Sequence, residues 1–339
     1  MKKEKNAIDK KGGIPLLWGE ALRSFLCMVP MLVAVIFSQN SHIVSLGQGG
    51  FFFGLIPIPQ ARGKRVLISS LLIALGLGFY LMGGNVVFNP WLAVIFTFFV
   101  AFNIGLLSGY AVIGLLAIHF ISIYTAGLNA NSFEAVHANF FDFICAMGWG
   151  ALISILFNWK EQSSKEPPQE NIRNYFVSGI RMGFATSIAL GVSYLFGFAK
   201  LGWAPSGAGL IIRYDTKLSK MLAWARFVAT IAGAALAILC FYISLNFQFL
   251  IVMSVLFAVL NGLFKATKIG KMPLFYTATI LILYSIVSPV SNASLVSERI
   301  FYNIVGITIG LLFILYPFPI ITKSIFQRMK VPIKTDIKS

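Results

Sequence analysis

Apolar runs follow one another along almost the whole chain, separated by short polar breaks. They fall at about 20–37, 42–58, 66–83, 90–107, 109–127, 140–158, 175–198, 202–213, 224–244, 247–264, 272–290 and 300–321. Ten of these runs have about 18 residues or more, enough for a helix to cross a hydrocarbon core of about 30 Å. They are continuous, without the alternation of ten-residue segments that marks a membrane β-barrel. The pattern predicts an all-α polytopic membrane protein with about 12 transmembrane segments. The second run carries Gly49-Gly50 and the eighth Pro205-Ser206-Gly207, so both are expected to bend or to span only part of the bilayer. Such breaks are tolerated where neighbouring helices and waters satisfy the freed backbone groups.

One polar break is longer than the rest. Asn158 to Asn174 reads N-W-K-E-Q-S-S-K-E-P-P-Q-E-N-I-R-N, and Pro167-Pro168 bars a continuous helix. It divides the chain into a membrane repeat at 20–158, a linker at 159–174 and a second repeat at 175–322, with tails at 1–19 and 323–339. Spacing supports a duplication: Arg23 and Arg181 are 158 residues apart, and Arg65 and Arg226 are 161 apart. Six crossings are an even number, so both halves enter from the same side. The repeats are therefore expected to be parallel, related by a pseudo-two-fold axis along the membrane normal.

Charge gives the orientation. Most of the 27 Lys and Arg lie in alternate breaks and in the two tails, including Lys2, Lys3, Lys5, Lys10 and Lys11 at the start. Positive loops stay inside, so both termini are expected in the cytoplasm, with the chain in the cell (plasma or inner) membrane. The start of the chain shows no cleavage site of a signal peptide and reads as a tail. Lys200 and Arg299 fall to the outer face, with Glu134, Asp142 and Glu298. Composition agrees: 58% of residues are hydrophobic and 11% charged, against about a quarter charged in soluble domains. The net charge of +16 follows from topology and points to the bilayer, with no nucleic-acid partner.

Charged groups at span borders are the candidate chemistry. Arg23, Arg65, Arg181 and Arg226 each lie near the cytoplasmic end of a run. Packed about a common axis they would ring one vestibule, and guanidinium binds carboxylate bidentately, so they are the candidate substrate-binding residues. The competing reading is that they snorkel and fix topology. His119 lies mid-run, with Asn103 in the preceding run, a candidate proton or polar relay. Cys27, Cys145 and Cys240 all fall inside apolar runs without ligand spacing, so no metal, disulfide or cofactor is expected. Phe51-Phe52-Phe53 and Phe140-Phe141 could stack an aromatic substrate or face lipid. A lipid or isoprenoid transferase would want clustered Asp or His at one face, and no D-x-x-D or H-x-x-x-D pattern occurs. A non-transporting assembly role is the other alternative.

The second half resembles the fusaric-acid-resistance-like membrane module (FUSC), grouped with aromatic acid exporters and, more distantly, plant malate-type anion channels. The resemblance rests on Gly179-Ile180-Arg181, on Trp203 opening the next run, and on Arg226-Phe-Val-Ala229-Thr230-Ile-Ala-Gly233 after a basic turn. Ala229 stands where the family pattern has a glycine. The first half matches more loosely, through Leu22-Arg23, Gly49-Gly50 to Gly54, and Arg65 to Ser70. It implies a membrane exporter of small organic anions, aromatic or amphipathic carboxylates, and not an enzyme. Many such exporters carry a large soluble domain between or after the halves, for which the linker here is too short.

Overall fold

In a computed structural model of the protein, residues 16–37, 42–55, 62–108, 111–130, 132–156, 172–265, 274–287 and 292–315 are described. Among them are twelve α-helices and no strand: α1 Trp18–Phe37, α2 His42–Leu55, α3 Arg62–Val86, α4 Pro90–Leu107, α5 Ala111–Gly127 and α6 Phe133–Leu156, followed by α7 Ile172–Leu195, α8 Trp203–Gly209, α9 Thr216–Ile243, α10 Phe247–Leu263, α11 Leu274–Val287 and α12 Asn292–Leu315. The tail before residue 16, most of the linker at 159–174 and the tail at 323–339 lie outside the described residues.

The helix ends follow local chemistry. Asn89 caps α4 by accepting from the Leu92 amide, and Pro90 occupies the first turn, where no amide donor is needed. Asp215 accepts from Lys217 N at the start of α9, and Asn246 from Gln248 N at the start of α10. At the end of α7, Gly197 takes a left-handed φ of 62°. Phe198 N then bonds Ser193 O and Gly197 N bonds Tyr194 O, a Schellman turn that only a residue tolerant of positive φ closes cheaply.

Seven helices are long and apolar enough to cross a membrane: α1, α3, α4, α6, α7, α9 and α12. α10 and α11 are apolar but shorter. With seven residues, α8 is only about 10 Å long and cannot cross as a helix. Several helices begin before their apolar runs: α6 at Phe133, α9 at Thr216 and α12 at Asn292. Hydropathy misses those first turns because they carry Glu134, Lys217 with Lys220, and Glu298 with Arg299.

Packing brings the far ends of the sequence together. α1 lies against α2, α6 and α10, while α7 lies against α8, α12 and α4. α2 packs on α6 and α8 on α12; α3 packs on α5 and α6, and α9 on α11 and α12. The longest seam, α4 on α7, closes at Gly105 and Gly179. A Cβ on Gly105 would stand 2.7 Å from the Gly179 Cα, so the backbones meet there as small residues allow in membrane helices. Facing outward are Trp91, Phe99, Leu195 and Tyr242, all strongly exposed, as suits a surface that meets lipid.

Candidate functional site

α8 is a single short helix flanked by irregular backbone, and its surroundings explain how it is held. All seven residues from Trp203 to Gly209 are buried, under α7, α12 and α5. Irregular backbone survives in a bilayer only when protein or a polar cavity covers it. Small residues let the neighbours approach: a Cβ on Gly207 would stand 3.2 Å from the Asn303 carbonyl oxygen of α12. α2, at 14 residues, is the other short helix placed early in its half.

Two buried arginines converge on α8. Arg226 of α9 is 7% exposed and donates through Nη2 to Ser206 Oγ at 3.3 Å and to Asn303 Oδ1 at 3.5 Å. Asn303 in turn donates to the Arg299 carbonyl at 2.9 Å. Arg299 is 2% exposed, its guanidinium 4.8 Å from the centre of the Trp203 ring, with the Tyr276 hydroxyl in hydrogen-bonding reach. Among the described residues, neither arginine has a carboxylate within salt-bridge distance, and neither Nε has a partner. Each feels the other's charge. Lys200, in the loop before α8, stands 5.3 Å over the Tyr284 ring. Burial pulls its ammonium below the usual lysine range, and Glu298 opposes that shift. Lys200, Arg299 and Arg226 thus mark successive levels along the broken segment.

Arg299 lines a small cavity of about 20 Å³. Its wall comes from α2 (Gln48, Phe52), α5 (Ser122, Thr125), α8 (Trp203, Ser206), α11 (Tyr276, Tyr284) and α12 (Arg299). Asn129 ties the wall together: its Oδ1 accepts from Gly202 N at 2.8 Å, and its Nδ2 donates to Tyr284 Oη at 3.3 Å. The ring of Trp203 meets that of Tyr284 edge-on, 5.6 Å between centroids.

The sequence-predicted residues fall in different places. Arg226 lies ten residues beyond the start of α9, about 15 Å along the helix, deeper than a border position. Arg23 is fully buried but engaged: Nη2 donates to Glu20 at 2.7 Å and to the Gly54 carbonyl at 2.7 Å, and Nη1 to the Phe53 carbonyl at 3.2 Å. Lys265 joins the same Glu20 oxygen at 3.1 Å. This cluster ties α1 to the end of α2 and to the residues after α10. Arg65 on the first turn of α3 and Arg181 on α7 are both buried. Asn103 is exposed and bonds the Phe99 carbonyl of its own helix at 2.8 Å. His119 is half-buried on α5.

Arg299 is the residue that sequence reasoning missed. The sequence places it near the outer face with no role; the structure buries it against Trp203, because α12 starts two turns before its apolar run and turns Arg299 inward. A signal was present: Arg299, Asn303, Gly306 and Gly310 recur at intervals of three or four, a polar and small-residue stripe on one helix face.

No curated protein and no solved structure matches the chain. Residues 188–313, which hold the broken segment, Arg226 and Arg299, match the family described as fusaric acid resistance protein-like. Residues 188–313 of this multi-pass membrane protein therefore form a fusaric acid resistance protein-like module.

Proposed function

We propose that the chain exports small organic anions, aromatic or amphipathic carboxylates among them, along a path between two equivalent six-helix halves. The observation that carries this reading is the pair Arg226 and Arg299, two buried cations without a carboxylate among the described residues. Buried charges are normally paired, and an unpaired cation within a membrane protein marks an anion's route.

The helix contacts support two equivalent halves. α1 on α2 answers to α7 on α8, α2 on α6 to α8 on α12, and α3 on α5 to α9 on α11. Across the halves, α4 on α7 answers to α10 on α1, and α2 on α11 to α5 on α8. The cavity wall draws on α2, α5, α8 and α11, two pairs that this exchange relates, and on Arg299 of α12. Short, glycine-interrupted segments at corresponding positions, here α2 and α8, are where transporters of repeat architecture bind substrate. In this reading both termini face the cytoplasm, and the chain lies in the cell membrane. On the same reading Arg65, Arg181 and Arg226 attract the anion, while Arg23 holds the end of α2 in place. His119 stands on α5, whose Ser122 and Thr125 line the cavity, and could relay a proton only if the path opens to it.

The test is flux of labelled aromatic carboxylates in proteoliposomes, comparing wild type with Arg65→Ala/Arg226→Ala. Loss of flux of at least tenfold in a folded double variant is expected. Flux that survives unchanged makes these arginines topology anchors and removes the proposal.

A further inference from the structure

We propose that the cavity bounded by Trp203, Ser206, Tyr276, Tyr284 and Arg299 is a binding site for one small inorganic anion of halide size. Its volume of about 20 Å³ exceeds the roughly 10–15 Å³ that a single water needs. It is far too small for an aromatic carboxylate. A halide is only slightly larger than water, so size selects a monatomic or similarly compact guest.

Charge decides between an anion and a water. Arg299 is 2% exposed, its Nε is without a partner, and Arg226 adds a second positive charge through Ser206 on the same wall. A water would satisfy a hydrogen bond but leave the charge uncompensated, which is costly in a low-dielectric interior. A cation is repelled by Arg299, Arg226 and Lys200. A halide gains the fields of Arg299 and Arg226, and the side chains of Ser206, Tyr276 and Gln48 on the wall can replace part of its hydration shell. The Trp203 indole, 2% exposed and stacked over Arg299, keeps bulk water from screening the interaction.

The contrast within the molecule strengthens the case. The other buried arginine cluster, Arg23 with Lys265, contains its own carboxylate in Glu20. Arg226 and Arg299 at α8 have none within salt-bridge distance among the described residues, and a guest anion would supply that counter-charge. Under the transport reading above, a carboxylate entering the path displaces this resident ion as the cavity widens. That consequence rests on the transport reading; the binding does not.

The experiment uses the purified full chain in detergent, exchanged from sodium gluconate into sodium bromide or chloride at constant ionic strength. The melting midpoint of wild type is expected to rise with the logarithm of halide concentration, by about 5 °C at a hundred times Kd. Arg299→Gln is expected to show no halide-specific rise, and to melt in gluconate no lower than wild type, since its unpaired buried cation is gone. A rise of equal size in Arg299→Gln, or no rise of wild type beyond gluconate, overturns the proposal. If the variant does not fold, bromide anomalous scattering from wild-type crystals decides: a peak beside the Arg299 guanidinium supports the site, and an empty cavity at saturating bromide overturns it. Halide binding without carboxylate flux would remove the transport reading and leave this site standing.

Discussion

Replacing Glu20 by Gln tests the ion cluster that joins α1, α2 and the residues after α10. Glu20 is 1% exposed and receives Arg23 at 2.7 Å and Lys265 at 3.1 Å on one oxygen. Glutamine keeps the shape but removes the negative charge that faces the buried Arg23. Breaking a buried pair from one side costs about 3–5 kcal/mol, because the remaining charge is stranded. Lys265 adds less, since a quarter of its side chain reaches solvent. One kcal/mol moves the midpoint of a 150–250-residue protein by about 2–4 °C and a longer chain by less, so Glu20→Gln should melt roughly 4–8 °C below wild type. The assay is thermal unfolding in detergent, followed by intrinsic fluorescence. Glu20→Met/Arg23→Met removes both charges and should lose less than the single variant, the non-additivity that identifies a coupled pair. A Glu20→Gln protein melting within a degree of wild type would refute the reasoning, as would a double variant that loses the sum of the singles.

Three further outcomes follow from the same geometry. Burial, with Arg23 close by, pushes the Lys265 ammonium down to about 8; between that value and its unfolded value near 10.4 the unfolded chain holds more protons, so stability should rise with pH across the window. The rise should amount to about 1–2 kcal/mol given the partial exposure of the side chain, and Lys265→Met should flatten it in midpoints measured from pH 7 to 10.5. Gly179→Val places a side chain where a Cβ alone would stand 2.7 Å from the Phe102 carbonyl oxygen, so it should force α4 from α7 and lower stability by about 1–3 kcal/mol, measured by the same melts. Asp215→Ala removes the cap of α9 and should cost about 1 kcal/mol, whereas Asp215→Asn should melt close to wild type.

Much of the architecture was readable because a bilayer imposes one rule, that backbone polar groups be satisfied within helices. Every apolar run corresponds to a helix among the described residues, and the Pro-Ser-Gly of the eighth run marked a segment that does break. Helix starts were less readable, because the first turns of α6, α9 and α12 carry the charges that hydropathy treats as loop. Arg299 illustrates the cost: beside Glu298 it looks like part of an outer turn, and only the packing of α12 on α8 shows it facing Trp203. The Glu20–Arg23 pair was available at a spacing of three residues on one helix face. That Glu20 also meets Lys265 depends on a contact between residues far apart in sequence, which no local pattern reports. The resemblance located the family module in the second half, through Arg181, Trp203 and Arg226, but pattern alone could not tell an arginine with a carboxylate from one without.

The most direct test of an anion path at the α8 break is the charge selectivity of a thiol placed in its wall. Ser206→Cys, in a chain with Cys27, Cys145 and Cys240 replaced by Ala, is treated in membranes with anionic and cationic methanethiosulfonates of similar size. Arg226 stays beside the new thiol, so both reagents meet the same nucleophile and the same field, and only their own charge differs. The account predicts modification at least tenfold faster by the anionic reagent, slowed by saturating aromatic carboxylate. Equal or faster modification by the cationic reagent, or labelling indifferent to carboxylate, would contradict it.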